Sequence, residues 1–552
     1  MCRYCPRYET TLESRASECV CQSGMFQDSD WKCRYCPDVG SDCQEMGLTL
    51  ASVTVLPGFF RAHNDSLQLY PCVARHRVNA TYHMDCVGGN LSHQCQRHHT
   101  GPLCMVCEMG FTRHGAGVQP CQRCQVDDGM QAFAYLGVLL LFGLFSTGFV
   151  YGAFRYFSRE VSATSTANSS GNKELTFLKE SIQTMSKIKI LVGWGQVASS
   201  VGTTFSAPWP TGFLQLIGGL SSLFNLDVFG FLSGFGCLFD SSFGLNFVMH
   251  MLTLPYLLGL LALAAWLTQR RTAIIREILV NRVIYVVSVV TFFMYPGLGV
   301  KIFSVFKCRT VEERSYLMAD FSQPCYEGGH LAMAVFAVLF LILYVIGIPT
   351  VTYRRLVKHK GTIVHRLEQP VDPSVQARYG HLYAPYKPAY WYNELVEMGR
   401  KVILTAGLSM LTSKSAAQLL IGILVCFAHH TYLAACNPFL NRTDTWLSQG
   451  AGIQIFLTLL LGMTLQMEVE VDKQAIAVTL VLMVVVILVI GLVMIGLIVC
   501  KAENIRQLQA QSAVVKKAVE QRVRSVKNPM VASVKNPIVA LTVRQPATKT
   551  TI

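Results

Sequence analysis

The sequence predicts a mainly α fold: a polytopic helical membrane bundle of about nine spans behind a small disulfide-rich, loop/β N-terminal ectodomain. Three observations predict it. Hydrophobic residues make up 51% of the 552 and charged residues only 14%, against about 25% charged in an ordinary soluble domain. Fourteen of the 20 cysteines fall before residue 125. The longest apolar runs all lie between residues 131 and 500. The apolar content also excludes global disorder. Three regions follow: a cysteine-rich head over 1–129, a multi-span region over 130–500 and a basic tail over 501–552.

The head comes first. It holds Cys2, Cys5, Cys19, Cys21, Cys33, Cys36, Cys43, Cys72, Cys86, Cys95, Cys104, Cys107, Cys121 and Cys124, the density of a disulfide scaffold. Gly, Pro and Asn are scattered through it without a long apolar period, so crosslinks must replace a core. Zinc is the competing reading. Cys104-x-x-Cys107 and Cys121-x-x-Cys124 have zinc-ribbon spacing, and His63, His76, His83, His93, His98, His99 and His114 add ligands. Sequons at Asn64, Asn79 and Asn90 favour an oxidising, lumenal compartment and hence disulfides. No metal or other cofactor is expected, and connectivity stays open. Met1-Cys2-Arg3-Tyr4-Cys5 opens inside the cysteine pattern with no apolar h-region, so a preceding signal segment outside this sequence is expected.

The spans follow from length. A helix needs about 20 apolar residues to cross the hydrocarbon core. Nine stretches qualify: 131–154, 188–207, 245–267, 283–305, 331–353, 395–413, 416–436, 447–467 and 475–500. A tenth, 211–236, carries Asn225, Asp227 and six glycines and is expected to be interfacial or re-entrant. The positive-inside rule supports that choice. With the head outside, Arg155, Arg159, Arg270 and Arg271 fall inside, as do Arg354, Arg355, Lys358, Lys360, Arg366, Arg378 and Lys387 of the loop 354–394. The ten Lys/Arg of the tail are inside too, while the acidic loop of Glu468, Glu470 and Asp472 is outside. Counting 211–236 as a crossing would invert every later loop. The expected orientation is N-terminus extracellular or lumenal and C-terminus cytosolic, at the plasma membrane. Cys308 and Cys325 then share an outside loop and can pair. Cys436 and Cys500 lie at cytosolic span ends, and Asn441 of Asn-Arg-Thr lies inside.

Within the spans, Pro255, Pro296 with Gly297, and Pro349 mark hinge or pathway candidates. Proline removes an intrahelical hydrogen bond, and at membrane depth the freed carbonyl needs another partner. Asp227, His250, His429 and His430 are the ionisable candidates, since such groups in a membrane are functional by default. The stretch Tyr383, Tyr386, Tyr390, Trp391 and Tyr392 reads as an aromatic belt at the inner interface. Glu397 precedes Arg400 by three and Lys401 by four residues, the spacing of helical ion pairs. The segment 501–526 reads as a membrane-surface helix. The block Ser525–Ala532 repeats as Ser533–Ala540.

Several blocks together carry a resemblance. They are Lys189-Ile-Leu-Val-Gly-Trp-Gly-Gln196 with Pro208-Trp-Pro210 and Asn225-Leu-Asp227; Phe306-Lys-Cys308 with Tyr316, Asp320 and Cys325; Tyr344-Val-Ile-Gly347-Ile-Pro349; and Tyr386-x-Pro-x-Tyr-Trp391-x-x-Glu394 with Arg400-Lys401. In this order they resemble the TRP-like membrane region of fungal, oomycete and algal proteins, distantly related to polycystin-type channels. Gly101-Pro-Leu-Cys104-x-x-Cys107-x-x-Gly110-Phe111 is similar to the ephrin-receptor- or TNF-receptor-like cysteine repeats often fused to that region. The resemblance covers about residues 19–500 and implies a calcium-permeable cation channel with a pore between late spans. It assigns no selectivity-filter residues. A non-conducting receptor or adhesion protein that binds ligand through the cysteine repeats is the alternative. An enzyme is not expected, because no nucleophile, metal quartet or phosphate loop accompanies the histidines. Partners expected are membrane lipid, an extracellular ligand and further copies of the chain. Nucleic acid is not expected, because the +14 charge lies in the inner loops and tail.

Overall fold

The computed structural model describes residues 8–10, 19–72, 74–78, 81–89, 93–112, 121–124, 133, 136–137, 140–152, 171–205, 207–224, 243–268, 273–369, 371–411, 416–467, 472–498 and 500. Asp227, Asn79, Asn90 and the tail 501–552 lie outside them. The chain divides into two compact units, Met1–Ile495 and Gly496–Ile552.

The head is built of strand pairs two to five residues long, such as Met25–Gln27 against Cys33–Tyr35 and Phe59–Phe60 against Tyr70–Pro71. Hairpins this short are not stable alone in water, so covalent bridges hold them. The bridges are Cys21–Cys33, Cys36–Cys43, Cys72–Cys86, Cys95–Cys104 and Cys107–Cys121, and Cys19 and Cys124 are also disulfide-bonded. Cys104 and Cys107 therefore belong to different bridges, and the zinc-ribbon spacing arises from neighbouring disulfides. Asn64 is exposed.

Most of the other described residues are helical. In chain order the helices are α1 (Leu140–Gly152), α2 (Gly171–Thr204), α3 (Thr211–Phe224), α4 (Phe243–Thr268), α5 (Ala273–Ser304), α6 (Gly328–Lys358), α7 (Pro373–Tyr383), α8 (Asn393–Thr405), α9 (Ala416–Cys436), α10 (Arg442–Gln466) and α11 (Lys473–Ile498). Six of them, α4, α5, α6, α9, α10 and α11, are long and apolar enough to cross a membrane. The expected spans 131–154, 188–207 and 395–413 correspond to helices that are shorter or more polar. The described part of the first is α1. The second lies in the 34-residue α2, which carries Lys187, Lys189 and Gln196. The third is not one helix: α8 stops at Thr405, Ala406 leaves helical geometry (φ −125°, ψ −49°), and Gly407–Met410 continues as a 3₁₀ turn. Gly407 is the local cause, since glycine is disfavoured inside a helix. Helix α3 has 14 residues, about 21 Å at 1.5 Å per residue, and residues 225–236 of the tenth stretch lie outside the described residues.

Two apolar clusters organise the bundle. The larger centres on α2, whose Leu191, Trp194, Val197, Ala198 and Val201 pack with Phe213 of α3, Leu419 of α9, Ile455 and Leu459 of α10, and Leu480 of α11. The second joins α4, α5 and α6 through Phe247, Met251, Leu298, Ile302, Ala337 and Tyr344.

The two ends of the bundle are marked by loop contacts. Between α5 and α6 lies a three-stranded sheet, Cys308–Val311, Arg314–Leu317 and Asp320–Pro324, closed by the Cys308–Cys325 disulfide. It docks on the head. Arg309 donates to the Pro71 carbonyl at 2.8 Å, and the Glu312 N–H donates to Tyr70 Oη at 2.6 Å. Val311 and Phe321 join Phe60, Tyr70 and Leu103 in one core. At the other end, the Lys387 N–H bonds to Pro438 O at 2.7 Å and the Leu440 N–H to Pro385 O at 2.9 Å. Helix α2 is pinned at its middle and near its C-terminal end. Lys187 pairs with Asp444 at the start of α10, and Lys307, just past α5, donates to the Thr203 carbonyl at 2.8 Å.

Candidate functional site

The site is a buried charge cluster where α2, α8, α9 and α10 meet. Lys189 of α2 donates to Glu394 Oε2 of α8 at 2.7 Å and to the His381 carbonyl of α7 at 2.9 Å. Its ammonium also lies 4.4 Å from the centre of the Phe292 ring, a cation–π contact. Tyr386 Oη donates to the same Glu394 oxygen at 3.2 Å. Burial and the Glu394 charge hold this phenol pKa well above its ordinary value, which keeps the hydroxyl a donor. One turn along α8, Glu397 accepts from Arg400 at 2.9 Å and from His429 Nε2 of α9 at 2.8 Å. Next to them, Trp194 Nε1 donates to Gln454 Oε1 at 2.7 Å, and Gln454 donates to Thr458 at 2.8 Å.

The cluster borders a cavity of about 30 Å³ lined by Lys189, Gly193, Trp194, Phe292, Glu394 and Lys401, among others. One water needs roughly 10–15 Å³ by this measure, so there is room for one or two waters or one small ion, and none for an organic ligand. Breaking one such buried pair leaves an uncompensated charge at a cost of about 3–5 kcal/mol. Every residue of the cluster is therefore held by its partner.

Several expectations change here. Glu397 pairs with Arg400 but not with Lys401; among the described residues the Lys401 ammonium makes no ion pair or hydrogen bond, and it lies 4.2 Å from the Phe292 ring centre. His429 is satisfied by a carboxylate 32 residues away. His430 Nδ1 is buried with no partner among the described residues. The aromatic run is not a simple interfacial belt, because Tyr383, Tyr386 and Trp391 are buried in the protein. Asn441 caps α10 by accepting the Thr443 N–H at 3.2 Å. Cys426, Cys436 and Cys500 are free thiols, Cys426 buried. His250 is buried on α4.

The three prolines form a second feature. Pro255 removes the helical donor to the Met251 carbonyl, and that carbonyl accepts from Tyr344 Oη of α6 at 3.1 Å. Pro349 does the same to Val345 O, which accepts from Tyr295 Oη of α5 at 3.1 Å. A wide π turn, Leu341–Ile346, absorbs the same defect. Near Pro296, the Phe293 carbonyl accepts from Gln196 Nε2 of α2 at 2.6 Å. Each kinked helix is thus stitched to the next by a side chain from its neighbour. Sequence reasoning finds the prolines but not the donors, although Tyr295 directly precedes Pro296 and Tyr344 shares a block with Pro349.

Family models, curated proteins and solved structures all give no match to this chain. The geometry therefore has to carry the functional argument.

Cys308, Cys325 and His330 also converge within 4.8 Å. The thiols are joined as a disulfide. His330 Nδ1 accepts the Tyr326 N–H at 2.8 Å and Nε2 faces the Val305 carbonyl at 3.0 Å. Both ring nitrogens are occupied, which gives His330 a structural role.

Proposed function

We propose that the chain is a TRP-like cation channel, or a channel-like sensor, with nine crossings and a head that drives its kinked helices from outside the cell. Contacts between loops support the count. The sheet over 308–324 touches the head, so an even number of crossings separates them; α1, α2, α4 and α5 supply four, and α3 supplies none. Loop 384–392 touches 437–441, so α8 with its 3₁₀ extension must return the chain before α9 crosses. The 13 helical and four 3₁₀ residues span about 27 Å at their respective rises. Thr204 Oγ1 donates to Thr405 O at 2.7 Å, while Lys189 meets Glu394 lower down, so α2 and α8 run alongside each other. The head then lies outside and the tail inside, at the plasma membrane.

The observation that carries the functional reading is the docked loop between α5 and α6. It joins the two helices that hold Pro296 and Pro349, and it is fixed to the head by a shared core. A ligand or force acting on the head is delivered to those kinks without an intervening flexible segment. The cavity beside Lys189 is too small for a conduit, and we place the pore between further copies around an axis. The same observation favours the second reading, a non-conducting receptor using the cysteine repeats. Reconstitution of the purified chain in planar bilayers separates the two. Cation current altered by reduction of the head or by antibody against it supports the channel; silence under calcium, voltage and stretch, with ligand bound, supports the receptor.

A further inference from the structure

We propose that the cavity beside Lys401 is a binding site for a small monovalent anion of the halide class. Around it stand three cations, Lys189, Arg400 and Lys401, and two carboxylates, Glu394 and Glu397. The carboxylates are committed. Glu394 holds Lys189, and Glu397 holds Arg400 while accepting from His429. Lys401 is left over. It is 4% exposed, and among the described residues no carboxylate or other acceptor lies within hydrogen-bond reach of its ammonium. Its neighbours are the Phe292 ring and the backbone of α2.

The sequence makes room for this side chain. A Cβ on Gly193 would come within 2.5 Å of Lys401 Nζ, so only glycine lets the ammonium reach the cavity. Glu394 and Glu397 act on this ammonium only from beyond hydrogen-bond distance, and each is held directly by another cation. A buried ammonium without a direct counter-ion is unfavourable, and a water molecule satisfies its donors without balancing its charge. A halide does both. It needs only one space of the size present and takes several N–H or O–H donors; Ser186 and Ser448 are also among the residues that line the cavity. The inference is independent of conduction, because it concerns occupancy of a site within one chain.

The test uses the full-length protein in nanodiscs at pH 7. Thermal unfolding is followed while gluconate is replaced by chloride or bromide at constant ionic strength. The expected result is a rise in Tm on the order of 2 °C for each tenfold increase in halide above its Kd. Lys401→Met abolishes that dependence. Should Lys401→Met fail to fold, the wild-type protein still decides: crystals grown in bromide should show an anomalous peak beside Lys401 Nζ. Equal Tm in gluconate, chloride and bromide, or bromide crystals without that peak, overturns the proposal. Either result would leave the cavity to water and the lysine neutral.

Discussion

Replacing Tyr344 by Phe isolates one stitched proline. The mutation removes the donor to Met251 O and changes nothing else in shape. Pro255 has already removed the helical N–H, so the carbonyl is left without a partner at a residue with no exposed surface. An unsatisfied buried group costs about 1–3 kcal/mol in soluble proteins. Interhelical hydrogen bonds in membranes average about 0.6 and reach about 1.7 kcal/mol. The absent alternative donor places Tyr344→Phe near the upper end, at about 1–1.7 kcal/mol. The assay is a double-mutant cycle by reversible unfolding in mixed micelles. In a Pro255→Ala background, residue 255 supplies the helical N–H again, and Tyr344→Phe should then cost no more than about 0.3 kcal/mol, a coupling of about 1 kcal/mol. Additivity of the two substitutions would refute the reasoning, because it would mean the hydroxyl does not compensate the proline.

Three further outcomes follow from the same geometry. Glu394→Gln leaves Lys189 buried without its charge partner and should cost about 3–5 kcal/mol, with Lys189→Met in the same chain restoring much of it, as Tm measurements would show. Burial, aided by Lys189, holds the His381 pKa well below its ordinary value, and its Nε2 faces Ser288 at 3.0 Å. The unfolded chain therefore takes up a proton first, and stability should fall as pH drops below about 6.5, with a slope of up to ~1.4 kcal/mol per pH unit; His381→Gln should flatten that part of the Tm–pH curve. Cys308→Ser with Cys325→Ser opens a loop with a sequence separation of 17 and should cost about 3 kcal/mol, read as faster proteolysis between α5 and α6 in the intact protein.

Hydrophobicity alone reveals α4, α5, α6, α9, α10 and α11, because a continuous apolar run has one solvent it can occupy. It fails where polar groups are satisfied by other helices. Lys187, Lys189 and Gln196 make α2 look marginal as a span, yet Asp444, Glu394 and the Phe293 carbonyl receive them. Gly407 breaks the expected helix over 395–413, and a single glycine among apolar residues does not announce a break. The ion-pair rule offered Glu397 only partners on its own helix; it correctly found Arg400 and could not find His429, which is close in space alone. Disulfide pairing in the head was open for the same reason, since spacing does not say which strands meet. The convergence of Lys189, Gln196, Glu394, Arg400 and Lys401 was visible only as separate blocks of sequence.

The docked loop also has a consequence for synthesis. Cys124 leaves the ribosome roughly 180 residues before Cys308, about 10–40 s at ordinary elongation rates. Disulfide formation takes seconds or longer, so the head can be oxidised before its binding partner exists. The later sheet then folds onto a surface that is already finished. A head that fails to oxidise in that interval leaves Val311 and Phe321 without Phe60, Tyr70 and Leu103 to cover them, and that apolar surface stays open while the last four helices are still being made.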